Sequence, residues 1–260
     1  MPLPSGKGAQ FRQLHSRCFV IANAWDAGSA RILAGLGFQA LATSSGAHAG
    51  TLGKRDGRVT RDEALAHAKA IVEATDLPVS ADLENCFADD AKTAAETVRL
   101  AGEIGLAGCS IEDATRTQVY DFGHAVERVA AAAQIKKVVL TARAENFVRG
   151  RPDLVDTIRR LQAFEKAGAD VLMAPGLPDL EAVRKVCESL SKPFNFMAGI
   201  KGKSFSVPEL QAAGVKRISL ATSLFRAAMT GLYEAAREVK EQGTFGYLDR
   251  LIDVNKFMQR

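Results

Sequence analysis

Eight short apolar runs recur along the chain, and they limit its fold more than any other feature. They are Phe19–Ala24, Ala40–Ser45, Pro78–Glu84, Gly108–Ala114, Val138–Glu145, Ala169–Pro175, Phe194–Ile200 and Arg217–Ser223. Most are separated by segments of helical period. Arg61–Ala74 and Ala91–Ile104 carry apolar residues at three- and four-residue spacing, and Thr60 stands where the first needs an N-cap. Several helical segments end in a glycine followed by apolar residues: Gly37-Phe38, Gly105-Leu106, Gly168-Ala169 and Gly214-Val215. That is a C-cap glycine leading into a buried parallel strand. Strand and helix alternating eight times predict a parallel sheet with right-handed crossovers.

A doubly wound open sheet shares this rhythm, but no G-x-G-x-x-G follows the first strand, where Gly28 stands alone. Eight units in 260 residues predict instead a closed (β/α)₈ (TIM) barrel, a single domain over residues 1–260. Leu224–Gln242 and Phe245–Met258 then form one or two extra C-terminal helices. They have no strand to cover, so a neighbouring subunit is the natural place for them.

Composition narrows the classes of function. With 47% hydrophobic and 25% charged residues the chain has ample core. Its net charge of +4 is spread along the sequence, so no basic arm or stripe for nucleic acid is expected. Cys18, Cys86, Cys109 and Cys187 are scattered, which argues against a disulfide framework and structural zinc. Met1 to Arg17 is polar, and no segment approaches the ~18 apolar residues of a membrane span. The expectation is a soluble, cytoplasmic protein.

In such a barrel the active site lies at the C-terminal ends of the strands. Strand three ends Ser80-Ala81-Asp82-Leu83-Glu84, strand four reads Ser110-Ile111-Glu112-Asp113, and strand five reads Thr141-Ala142-Arg143-Ala144-Glu145. Side chains alternate along a strand, and the apolar ones must face the helices. That turns Ser80, Asp82, Glu84, Ser110, Glu112, Thr141, Arg143 and Glu145 toward the mouth. Four carboxylates and a guanidinium then converge, which is costly unless a cation or arginine neutralises them. One reading is an oxygen-ligand site for a hard cation such as Mg²⁺, with Arg143 aimed at a substrate carboxylate. The other is a structural ion network, with Arg143 paired to Glu112 or Glu145.

Thr43 to Asp56 forms a second constellation, rich in small and hydroxyl residues that could bring backbone N–H groups close to an anion. It reads equally as a plain loop, with His48 a loop histidine. His15, His67 and His124 read as surface residues. Cys86, with no partnered base, reads as a bystander.

These stretches together resemble the isocitrate lyase/phosphoenolpyruvate mutase superfamily over nearly the whole chain. The matching residues are Ser29-Ala30-Arg31, Ser44-Ser45-Gly46, Leu52-Gly53-Lys54-Arg55-Asp56, Ala81-Asp82-Leu83-Glu84, Ser110-Ile111-Glu112-Asp113, Ala142-Arg143-Ala144-Glu145 and Ala167-Gly168-Ala169-Asp170. The resemblance implies Mg²⁺, or Mn²⁺, bound directly by Asp82, with Glu84 and Glu112 holding its water ligands. It implies that Asp56 supports the metal and substrate and that Arg143 takes the substrate carboxylate. Ser44, Ser45 and Gly46 would donate to the carboxylate and oxo groups. Catalysis would then rest on Arg143, Asp56 and Glu112, in a homotetramer or dimer that exchanges a C-terminal helix.

The chemistry implied is carbon–carbon cleavage of a small 2-oxo or 2-hydroxy di- or tricarboxylic acid through a metal-stabilised enolate. A 2-methylisocitrate lyase-like or an oxaloacetate decarboxylase-like reaction fits that description. The alternatives are a carbon–phosphorus enzyme (a phosphonomutase or phosphonopyruvate hydrolase) and a 2-oxo-acid binding protein with little turnover. Three parts of the family pattern are missing: Leu41 stands where the lyases place a tyrosine at the end of strand two, the phosphonate enzymes' Lys or Asn of the gating loop is absent, and so is the lyases' loop after strand four. The lyases carry a Lys-Cys-Gly-His type loop after strand four, whereas Ala114 to Tyr120 has no Cys and no Lys. Tyr120, Arg116 and His48 are the remaining nearby candidates for proton transfer.

Overall fold

Several strands are entered through a tight reversal of the chain. At Gly105 and Gly168 the backbone has φ of 90° and 111°, a region that side chains with a Cβ rarely adopt, and the helix stops there. The computed structural model describes residues 6–258; the expected single domain extends beyond them at both ends.

The chain begins with α1 (Lys7–Leu14), β1 (Phe19–Asn23), α2 (Ala27–Gly35), β2 (Leu41–Ala42), α3 (Ser45–Thr51) and α4 (Arg61–Ala74). It continues through β3 (Val79–Ala81), α5 (Ala91–Glu103), β4 (Gly108–Glu112), α6 (Phe122–Ala133), β5 (Val139–Arg143) and α7 (Leu154–Ala167). It closes with β6 (Val171–Met173), α8 (Leu180–Glu188), β7 (Phe194–Met197), α9 (Val207–Ala212), β8 (Arg217–Ser219) and α10 (Ser223–Gln242). The eight strands pair in sequence order, all parallel, and β1 pairs with β8 to close the barrel. All eight strands fall within the apolar runs of the sequence. α4 starts at the anticipated Thr60, whose side chain forms a capping box with Glu63.

Two cores follow from strand alternation. Val79, Ala81, Cys109, Ile111, Leu140, Ala142 and Leu172 point outward into the layer shared with the helices. Ile21, Ala40, Val139 and Val171 point inward and fill the lower barrel with Phe11 and Leu14 of α1. α1 lies in the N-terminal stretch read as merely polar, yet it plugs the barrel floor. Phe11 sits so close that a Cβ on Gly108 would come within 2.7 Å of its ring.

Three expectations are corrected. Phe245–Met258 does not form a helix; it makes only 3-10 turns at Gly246–Arg250 and Asn255–Phe257. Gly243 ends α10 with φ 66°, and the β-branched Ile252 and Val254 beyond it favour extended backbone. The Thr43 to Asp56 segment is not simply a loop, because α3 forms within it, capped by the Ser44 side chain accepting from the Ala47 N–H. His15 is not a surface residue but 6% exposed, and His67 stacks on His48 with ring centroids 3.8 Å apart.

Candidate active site

Three adjacent strand ends bring their charged residues to one point because the parallel register aligns them. Glu112 is the register partner of Arg143, and Ser110 of Thr141. Arg143 stands at the centre. Its Nη1 lies 3.1 Å from Asp82 Oδ1 and 3.0 Å from Glu112 Oε1, and its Nε donates to Glu145 Oε1 at 2.9 Å. Its Nη2 makes no hydrogen bond within the protein among the described residues. Arg149, from the 3-10 turn Phe147–Arg149, donates to Glu112 Oε2 at 3.2 Å. Ser45 donates to Asp82 Oδ2 from its backbone N–H at 3.2 Å and its hydroxyl at 3.0 Å, and Ser110 donates to Oδ1 at 3.2 Å.

These groups line a cavity of about 300 Å³ that runs from Thr222 and Arg226 at the rim down to Arg217 within the barrel. Asp56 and Ser44 are also on its wall. The electrostatics record crowded acids. Burial, followed by the charges of Asp82 and Asp56, pushes Glu84 up to about 7. Burial holds Glu112 well above the usual carboxylate range; Arg143 opposes this, while Glu145 and Asp82 add to it. Burial works against the Arg143 charge too, but Glu112, Glu145 and Asp82 outweigh it and raise its pKa.

The sequence-derived residues do not all share the cavity. Asp56, Asp82, Glu112, Arg143, Glu145, Ser44 and Ser45 do. Glu84 does not: β3 ends at Ala81, and the chain turns at Glu84 with φ 51°, breaking the alternation that would have pointed it inward. Its carboxylate faces a neighbouring cleft with Arg116 and a small enclosed space with His48 and His67. Gly46 lies behind the wall, where a Cβ would come within 3.3 Å of the Asp56 carboxylate. The hydroxyl of Ser44 already caps α3 and meets Thr222 Oγ1 at 3.0 Å.

None of the three proton-transfer candidates lines the cavity. Tyr120 is buried, hydrogen-bonded to Asp89 and Asn85 under the Arg128 guanidinium. Arg116 donates to the Asp56 carbonyl. His48 is held below its usual pKa by burial. Sequence reasoning missed Arg149, Arg217 and Arg226, which come from a turn, a strand start and a helix start. No motif marks those positions.

The site's fit to a hard cation can be judged from its donors. Every acidic group here offers oxygen, and Glu84 Oε1 is buried without a hydrogen-bond partner, an orphan that a cation-bound water would satisfy. Among the described residues, no three Asp, Glu, His or Cys side chains converge closely enough to grip an ion together. Mg²⁺ keeps several waters and takes one or two carboxylates, and the oxygen donors of Asp82, Glu84 and Glu112 are of that type.

Comparison with known proteins identifies the family of the chain. The family model described as phosphoenolpyruvate phosphomutase matches residues 11–240. A solved lyase/mutase candidate from Burkholderia cenocepacia J2315 is 44% identical, covers 98% of this chain and 96% of its own, and superposes with a TM-score of 0.95. The 2-methylisocitrate lyase of Halalkalibacterium halodurans is 30% identical over 90% of this chain and 82% of its own. The oxaloacetate decarboxylase of Pseudomonas fluorescens is 26% identical over 89% and 84%.

Proposed function

The chain belongs to the isocitrate lyase/phosphoenolpyruvate mutase superfamily, and from that premise we propose that it is a Mg²⁺-dependent carbon–carbon lyase or decarboxylase. Its substrate in this reading is a small 2-oxo or 2-hydroxy di- or tricarboxylic acid. The observation that carries it is the convergence of Asp82, Glu112, Glu145 and Arg143 on the wall of one cavity, with Arg143 Nη2 free of protein partners among the described residues.

A divalent cation bound at Asp82 would supply charge stabilisation at the substrate oxygens as the bond breaks. Glu112 on the wall, and Glu84 from the adjoining enclosed space that it shares with Asp82, would hold water around it. The chain's own residues do the rest. Arg143, held by three carboxylates, keeps Nη2 free of protein partners among the described residues to donate to a substrate carboxylate. Ser45 holds the Asp82 carboxylate through two donors. Asp56 stands on the wall in front of Gly46, and Glu112, whose pKa burial raises, meets both Arg143 and Arg149 there.

The wall favours decarboxylation of a 2-oxo diacid within this class. Cleaving a 2-hydroxy acid needs one group to take the hydroxyl proton and another to protonate the departing carbanion. Tyr120, Arg116 and His48 are all off the cavity wall. Losing CO₂ from a 2-oxo diacid requires no prior proton removal, and the enolate it leaves needs only one proton, taken from solvent, to give the 2-oxo acid.

The experiment is a turnover panel with and without Mg²⁺. We expect pyruvate release from oxaloacetate, abolished by EDTA. Phosphate release from phosphonopyruvate in its place would establish the carbon–phosphorus reading, which the description of the matching family model favours. Calorimetric binding of pyruvate with Mg²⁺, and no turnover of any member, would leave a binding protein.

We also propose that α10 docks on a second copy of the chain. None of its residues is buried, and Leu232 and Tyr233 are 63% and 64% exposed. Light scattering should give a dimer or tetramer, and a monomer at micromolar concentration would refute the docking.

A further inference from the structure

The floor of the cavity holds a positive charge that the reaction described above does not use. Arg217 opens β8, points into the barrel and is 5% exposed. The cavity wall includes it, so that residual exposure faces the cavity. Among the described residues no carboxylate pairs with it, in contrast to Arg143 above, which has three.

Its partners are all neutral. Nε donates to Asn195 Oδ1 at 2.7 Å and Nη2 to Thr141 Oγ1 at 2.8 Å. Nη1 lies 3.4 Å from His15 Nε2. The His15 Nδ1 hydrogen goes to the Phe11 carbonyl at 2.8 Å, so Nε2 is the acceptor. Burial, reinforced by the Arg217 charge, holds His15 down at about 3 and therefore neutral. A guanidinium has five N–H groups; three are engaged here, and two remain.

The neighbours add donors and no negative charge. Ser219 Oγ accepts from Asn195 Nδ2 at 3.0 Å, and Thr141 Oγ1 accepts from Arg217. Neither hydroxyl donates to a protein acceptor among the described residues. Ser219 and Thr141 both line the cavity. An uncompensated buried guanidinium is costly, and it persists where something pairs with it.

We propose that Arg217, Thr141 and Ser219 form an anion subsite at the cavity floor that takes a halide ion or a carboxylate group. Two sources can supply that chemistry. One is a free small anion. The other is the second carboxylate of a bound diacid, a source that rests on the proposed function. Thr141 and Arg143 are two residues apart on the same face of β5, about 7 Å along the strand, so the floor lies within reach of a ligand held at the mouth.

Crystals of the wild-type protein in sodium bromide, without Mg²⁺, test the first source. An anomalous peak within hydrogen-bond distance of Arg217 and Ser219 is expected. Crystals in malonate without halide test the second, and a carboxylate on the same atoms would identify it. Ordered water alone in both crystals would overturn the subsite.

In solution, bromide at constant ionic strength should raise the melting temperature of the wild type, and Arg217→Gln should abolish that rise. Should that variant fail to fold, Ser219→Ala should still raise the half-effective bromide concentration about tenfold, the effect of one hydrogen bond to a charged group. An unchanged bromide response in Ser219→Ala would count against the subsite. Because the bromide measurements need neither Mg²⁺ nor turnover, a failed activity panel leaves them intact. Turnover with a floor that takes no anion would refute the subsite alone.

Discussion

Replacing Arg128 with Met should destabilise the protein by about 3–4 kcal/mol, although Arg128 lies outside the cavity. The guanidinium is 1% exposed and serves four backbone carbonyls: Asp89 at 3.0 Å, Glu112 at 3.1 Å, Ala88 at 2.7 Å and Asn85. Three of these belong to the segment after β3, in which Glu84, Cys86 and Phe87 all have positive φ and which therefore needs external support. Orphaning a buried carbonyl costs about 1–3 kcal/mol. Taking the low end for four carbonyls, because water can enter the vacated space, gives about 4 kcal/mol.

Loss of the contact with the Tyr120 ring, 4.5 Å from Arg128 Cζ, adds ~1 kcal/mol. Relief of a buried charge and the apolar Met side chain return about 1–2 kcal/mol, which leaves about 3–4 kcal/mol. Urea denaturation at neutral pH reads this as a fall in midpoint at constant slope. Because the same segment carries Glu84, calorimetry should also show weaker Mg²⁺ binding. A loss of stability below ~1 kcal/mol would mean that those carbonyls do not depend on Arg128, and the reasoning would be wrong.

Other outcomes follow from the same geometry. Asp82→Ala should abolish Mg²⁺-dependent binding of pyruvate in calorimetry, and unchanged binding would sink the metal assignment. Glu84, at about 7 in the folded chain against an ordinary value of 4.5, binds more protons folded than unfolded between those two pH values. Its contribution to stability is therefore complete below the unfolded pKa and is lost as pH rises toward 7. The metal-free melting temperature should fall more between pH 5 and pH 7.5 in the wild type than in Glu84→Gln; equal falls would contradict the shift. Gly50→Ala would place a Cβ 2.6 Å from the Phe225 ring at the base of α10. It should cost about 1–3 kcal/mol in thermal unfolding and weaken self-association in sedimentation, and a variant identical to wild type on both counts would exclude that packing.

The barrel itself was legible in the sequence because its signals are local. Apolar runs mark buried parallel strands, and residues such as Gly105 and Gly168 mark where helices must stop. Thr60 and Glu63 form the capping box at the start of α4. Strand alternation also placed Asp82, Glu112, Arg143 and Glu145 on one wall, since two-residue periodicity holds while a segment stays extended. Alternation failed at Glu84 because β3 is only three residues long and the backbone turns before reaching it.

Tertiary structure decided what no local pattern encodes. The polar N-terminal stretch became the floor plug because Phe11 finds a space over Gly108, a residue far away in sequence. His67 is half-buried and stacks on His48 because α3 and α4 pack together.

The acidic ring at the mouth returns the same lesson from the other side. The sequence by itself determined that Asp82, Glu112 and Arg143 would meet, since their places at successive strand ends are a matter of periodicity. Only the fold decided that Arg143 would be held by three carboxylates while Arg217, one layer below on the opposite arc of the barrel, would be held by none. A charge's partners are set by distance in space, and a barrel closes residues 141, 195 and 217 onto one another from three separate strands.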